Sequence, residues 1–166
     1  MVSPELLRRY SFFGGLSHDH LVCLAKVAKE KTVAAGHTFF REGDELKAFF
    51  LVLEGAVGIH IAVTDPDVEH GLAGQLTGEL DKKDVTVSTA GSGEIFGWSA
   101  LIPPVTATAG ASALTLCRVV AFDCDEILRK FDQDPHFAYA LTRNAAQVIR
   151  QRLRDMHVES LAFKSQ

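Results

Sequence analysis

The segment Gly93-Glu94-Ile95-Phe96-Gly97-Trp98-Ser99-Ala100-Leu101-Ile102-Pro103-Pro104-Val105-Thr106-Ala107-Thr108-Ala109 decides how this chain is read. Gly93 and Gly97 permit a tight strand-to-helix turn, because glycine adopts positive φ without steric cost. Gly97 to Ile102 is expected to form a short helical turn, stopped by Pro103 and Pro104. The leading N–H groups of such a turn lack internal partners and carry partial positive charge, so they suit an anion. Ser99 and Thr106 add hydroxyls, and Trp98 adds one indole donor with a large apolar face.

Around this segment the chain reads as short strands between helices. Ser3-Pro4-Glu5 opens a short helix, with a capping Ser and Pro in the first turn. Phe12-Phe13-Gly14-Gly15 breaks it, and Ser17 caps a second helix expected to run to about Glu30. Strands are expected at Thr32-Val33, Thr38–Phe40, Ala48–Leu53, Ala56–Val63, Val85–Ser88, Val105–Ala113 and Leu116–Phe122, with Arg41-Glu42-Gly43-Asp44 and Glu54-Gly55 as turns. Many short strands with glycine turns indicate a mainly β sandwich or jelly roll. Asp123 and Glu126 form an Asp-x-x-Glu cap, and Asp134-Pro135 restarts a helix that can continue to about Ser160. Phe137, Leu141, Ala145 and Val148 line one face of it, continued by Ile149, Leu153 and Met156. The chain is thus expected to be one domain: N-terminal helices over 1–30, a β-roll over 31–122 and C-terminal helices over 123–162.

The Phe96-Gly97, Ala100-Leu101 and Pro104-x-Thr106-Ala107 elements resemble the phosphate-binding cassette of the cyclic nucleotide-binding domain family, the sensor domain of catabolite-activator and Fnr-type regulators. The resemblance extends over residues 5 to 160, through the Gly43-Asp44 turn and the strand-Gly55-strand hairpin. It implies a double-stranded β-helix (jelly-roll) with flanking helices and a long C-terminal helix that closes over the ligand and pairs subunits. Two charged positions depart from the family. Trp98 stands where the family has its ribose-binding Glu, and Val105 where it has its phosphate-binding Arg. A guanidinium clamps a phosphate bidentately and a valine cannot. The resemblance places candidate ligand contacts at Gly97, Trp98, Ser99, Ala100, Val105 and Thr106, and at Arg152 on the C-terminal helix. No cofactor is assigned, since a cyclic nucleotide would find both usual charged contacts replaced.

The implied function is a non-enzymatic regulatory sensor for a small anionic ligand, coupling pocket occupancy to the C-terminal helix. The alternatives are a degenerate ligand-free dimerisation scaffold and the sensor part of a Crp/Fnr-type transcription regulator. A helix of about 25 residues spans about 40 Å, more than a small barrel covers, which points to a homodimer through it. Regulators of this type carry their helix-turn-helix beyond the position of Gln166, so residues 1–166 are not expected to read DNA, and the net charge of −4 argues against direct nucleic-acid binding. Arg143, Arg150 and Arg154 read as a solvated face diluted by Asp155 and Glu159.

Other chemistry is not indicated. Cys23, Cys117 and Cys124 lack metal or redox spacing. His18 and His20 fall on different helix faces, while His37, His60 and His70 are scattered. The strand Gly58-Ile59-His60-Ile61-Ala62 lacks the second His of the metal-binding cupin jelly rolls, so neither a metal nor a catalytic site is expected. The first residues carry Glu and Arg without an apolar stretch, no run spans a bilayer, and a cytoplasmic location is expected. Thr64 to Asp84, rich in acidic residues, is longer than the family's usual hairpin and is expected to be a solvated loop.

Overall fold

The computed structural model describes residues 1–64 and 82–165, so most of the expected acidic loop lies outside the described residues. Helix α1 (Pro4–Arg8), a 3-10 turn (Ser11–Phe13) and α2 (His18–Lys26) precede the strands. These are β1 (Ala28–Val33), β2 (Thr38–Phe40), β3 (Ala48–Glu54), β4 (Val57–Thr64), β5 (Lys82–Ala90), β6 (Ile95–Phe96), β7 (Gly110–Ala113) and β8 (Cys117–Asp123). A second 3-10 turn (Trp98–Leu101) lies between β6 and β7, and α3 (Cys124–Gln133) and α4 (Pro135–Lys164) follow β8.

The helix starts follow their caps. Ser3 Oγ accepts from the Leu6 N–H at 3.1 Å, and Ser17 Oγ from the His20 N–H at 3.2 Å. Asp123 Oδ1 accepts from the N–H groups of Asp125 and Glu126, and Asp134 Oδ1 from that of Phe137 at 3.1 Å. Each satisfies backbone donors that the helix itself leaves without partners.

Several expected boundaries move. The strand expected at Val85–Ser88 runs over Lys82–Ala90, and Thr64 and residues 82–84, expected in the acidic loop, belong to the ladder between β4 and β5. Helix α2 stops at Lys26 instead of reaching Glu30, because Ala28–Val33 pairs antiparallel with β8, from Ala28 opposite Phe122 to Val33 opposite Cys117. Lys29, Glu30 and Lys31 favour a helix locally, but the ladder along β8 and the Arg118–Glu30 ion pair at 2.9 Å hold them extended. The expected strand Val105–Ala113 is strand only from Gly110. Val105 takes φ 56°, in the left-handed region, and the chain cannot extend through it.

Two four-stranded antiparallel sheets result, ordered β1-β8-β3-β6 and β2-β7-β4-β5, making a mainly β jelly roll with flanking helices. The continuous apolar run of β3 is explained by burial on both faces. Phe49, Leu51 and Leu53 join the core under the helices, while Phe50 and Val52 join the core between the sheets. On β8, Val120 and Phe122 point to the first core and Val119 and Ala121 to the second. Phe49 stacks on Phe122 with centroids 4.6 Å apart, and Phe50 on Phe96 at 4.9 Å.

Helix α4 crosses this assembly and continues past it. Phe137, Leu141 and Ala145 are fully buried. Asn144 Nδ2 donates to the carbonyls of Phe12 at 2.6 Å and Gly14 at 2.9 Å, tying the helix to the N-terminal turn. Further along, Leu153, Met156, Leu161 and Phe163 are exposed. No described helix is long and apolar enough to cross a membrane.

Candidate functional site

The cassette forms a compact turn. Gly97 takes φ 77°, and a Cβ there would stand 3.3 Å from Phe40 Cε1 and 3.4 Å from the Ala48 carbonyl oxygen. Positive φ and close neighbours both call for glycine. The turn expected over Gly97–Ile102 is 3-10 over Trp98–Leu101. Its N–H groups are partly spent internally: Ala100 donates to the Gly97 carbonyl at 3.1 Å, and Ile102 to that of Ser99 at 3.2 Å. The Pro103-Pro104 bond is cis. Val105 accepts from the Leu46 N–H at 2.8 Å, and the exposed Thr106 hydroxyl donates to the Pro104 carbonyl at 3.4 Å.

Gly97, Trp98 and Ser99 line a recess with Phe40, Leu46 and Ile59 of only about 30 Å³. That holds about one water, whereas pockets for small organic ligands occupy roughly 300–1,000 Å³. Ala100 is fully buried in the core instead, and Val105 and Thr106 lie outside the recess. In this conformation the recess is smaller than a cyclic nucleotide. The recess is too small and apolar-walled, and neither Trp98 nor Val105 carries the charge that a ribose or phosphate contact needs.

Arg152 is the residue that connects the cassette to α4. Its Nη1 donates to Ser88 Oγ on β5 at 2.6 Å, and its Nη2 to the Ile95 carbonyl on β6 at 3.1 Å. The guanidinium carbon sits 5.1 Å from the centroid of the Trp98 ring, within cation–π range. Burial holds the Arg152 pKa below its ordinary value, with the nearby Glu94 and Asp155 carboxylates opposing that shift. The Nε–H is buried without a hydrogen-bond partner.

A larger cavity, of about 330 Å³, opens on the other side of Arg152. Helix α4 contributes Asn144, Gln147, Gln151 and Asp155 to it, facing Ser11 and Phe12 of the first 3-10 turn. Ser88, Thr89, Glu94 and Ile95 close it from the sheet. Sequence reasoning missed this cavity. The legible signal was a polar stripe at steps of three and four residues along a helix whose neighbouring stripe is apolar.

Among the described residues the histidines form no shared cluster: His20 Nε2 pairs with Asp134 Oδ2 at 3.0 Å, and its ring stacks on Phe137. Among the described residues no group of three or more His, Cys, Asp or Glu side chains could hold a metal ion.

Comparison with known proteins agrees with this architecture. No curated protein matches the chain. A protein from Geobacter metallireducens GS-15, provisionally described as cyclic nucleotide-binding, has 28% identity and a TM-score of 0.76 over 92% of this chain and 99% of its own. The N-terminal domain of a transcriptional regulator from Streptomyces coelicolor A3(2) has 28% identity and a TM-score of 0.63, over 90% of this chain and 94% of its own. The Thermus thermophilus catabolite activator protein shares the fold at 21% identity and a TM-score of 0.63, over 92% of this chain and 62% of its own. The profile of the cyclic nucleotide-binding domain matches residues 30–134, and with the β-roll, the cassette turn and the long C-terminal helix in place, the chain belongs to the cyclic nucleotide-binding domain family.

Proposed function

We propose that this domain is a non-enzymatic regulatory sensor whose ligand acts through Arg152 on α4. The observation that carries this reading is one side chain. Arg152 leaves the long helix, reaches β5 and β6, and lies over Trp98 of the cassette turn. Any change at the turn therefore changes what holds the helix. A small anionic ligand in the Gly97–Ala100 and Val105–Thr106 region would compete with Trp98 for the guanidinium and release or reposition α4. It shifts the helix only to the extent that it binds one helix position better than the other. Three free cysteines accord with a cytoplasmic protein.

The helix offers an output surface. Ile149, Leu153, Met156 and Phe163 follow steps of four and three residues, with Ser160 completing the pattern. Leu153 is 53% and Phe163 82% exposed, so this seam is open to the same helix of a second subunit. The scaffold reading, in which the domain dimerises and binds nothing, is favoured by the 30 Å³ recess. The likeness to the Streptomyces regulator domain keeps a role within a transcription regulator as a further reading.

Trp98 is the chain's single tryptophan, so its emission reports on the site without labelling. Titration with cAMP, cGMP, cyclic dinucleotides and inorganic phosphate is expected to give a saturable change for an anion that reaches Arg152. A flat response to every anion tried would leave the scaffold reading. A Trp98→Glu, Val105→Arg double variant asks whether restoring the two charges restores cyclic nucleotide binding. Failure to gain it would show that Phe40, Leu46 and Ile59 close the recess independently of those two positions.

A further inference from the structure

We infer that the 330 Å³ cavity between α4, the Ser11–Phe12 turn and the ends of β5 and β6 is a binding site for a small zwitterion with an apolar body, of the α-amino acid class. The inference rests on Arg152 acting as the link to α4, and it places the ligand beside the cassette rather than in its recess.

The volume lies in the range of small-molecule sites, about tenfold above that of the cassette recess. The wall carries both signs of charge. Arg152 has five N–H groups, of which one on each Nη nitrogen is engaged, by Ser88 and by the Ile95 carbonyl. Both acceptors are neutral, and the Nε–H has no partner. Glu94 and Asp155 lie near enough to act on Arg152 by charge but accept none of its hydrogen bonds, so a carboxylate entering the cavity would take up the remaining N–H groups.

The acceptors lie on the other walls. Asp155 accepts from Gln151 Nε2 through Oδ1 at 2.9 Å, which leaves Oδ2. Glu94 accepts from the Gly91 N–H through Oε2 at 2.6 Å, which leaves Oε1. Asn144 spends its amide nitrogen on Phe12 and Gly14, which leaves its oxygen as an acceptor. An ammonium group has three donors and no acceptor, matching that set. A simple anion would meet Glu94 and Asp155 with like charge, and a simple cation would meet Arg152; a zwitterion meets neither problem. Phe12, Ile95 and Val148 supply apolar wall for the ligand's side chain.

The test is calorimetric titration of the full chain with L-phenylalanine, L-leucine and L-methionine, beside phenethylamine and 3-phenylpropionate as analogues each lacking one charge. Saturable binding of at least one amino acid, weakened about tenfold or more in both one-charge analogues, is expected. Asp155→Asn should weaken the amino acid about tenfold while leaving 3-phenylpropionate unchanged or bound more tightly. Gln147→Ala, a milder change on the same wall, guards against a folding defect in the first variant. Absence of binding by every amino acid, or equal binding of amino acid and one-charge analogues, overturns the inference. Amino-acid binding with no change in Trp98 emission would keep this site and reject coupling through Arg152. A Trp98 response to anions without amino-acid binding would do the reverse.

Discussion

Arg152 and Trp98, separated by more than fifty positions in the chain, meet face to cation at 5.1 Å and join the longest helix to the cassette turn. The tryptophan replaces a carboxylate of the family pattern, yet its ring still engages a cation by its quadrupole. The contact is weaker than an ion pair in a dry site and more easily exchanged, as the proposed release by a ligand requires.

Arg152→Ala removes this contact and two hydrogen bonds together. Urea unfolding followed by circular dichroism should show a loss of about 1–3 kcal/mol. Hydrogen exchange should rise in α4 beyond Ala145 and stay unchanged in β3 and β8. Lysine at 152 should restore part of the stability, since it offers charge but not the planar fork.

Asp134 caps α4 and pairs with His20. The Phe137 N–H, foremost, and then the His20 ring hold its carboxyl below the usual carboxylate range. A depressed carboxylate stabilises the fold above its unfolded pKa and loses that contribution as pH falls through its folded pKa. Asp134→Asn keeps a capping oxygen and removes the charge. The urea midpoint of wild type should therefore exceed that of Asp134→Asn at pH 7, and the gap should close below about pH 4.

The seam on α4 predicts an oligomeric state. Sedimentation velocity of the wild type at micromolar concentration should give a dimer. Leu153→Lys with Met156→Lys should weaken association at least about 100-fold, because each side chain is lost from both subunits. Thermal unfolding of the monomer should retain a single transition, as neither residue touches the barrel core.

The cysteines should react in order of access. Cys23 is half-buried, whereas Cys117 and Cys124 are buried. Burial above all pushes the Cys124 thiol up to about 12, with Asp123 and Asp125 adding to the shift. At pH 8 that thiol therefore stays protonated and unreactive in the folded protein. Iodoacetamide should thus modify Cys23 in the folded protein and reach Cys124 only in urea, as read by mass spectrometry.

Much of the architecture was legible locally. Ser3, Ser17, Asp123 and Asp134 cap helices because a short polar side chain before a helix satisfies N–H groups a few residues away, all within one turn of chain. The doubly buried run of β3 and the cassette glycines were equally visible, since burial pattern and positive φ leave marks on residue type. Residues 28–31 were not, because helix-favouring residues there are held as strand by β8, nearly ninety positions later, extending the strand expected at Thr32-Val33.

By itself, the sequence determined a mainly β fold with flanking helices, because caps, turn glycines and apolar patterns are properties of neighbouring residues, while the jelly roll and the two replaced cassette charges were read from the resemblance to the family. Only the tertiary structure decided the site. The closure of the recess by Phe40, Leu46 and Ile59 and the meeting of Arg152 with Ser88, Ile95 and Trp98 depend on distances across the fold. So does the open cavity beside them, since empty space belongs to no residue and arises only where distant elements fail to touch.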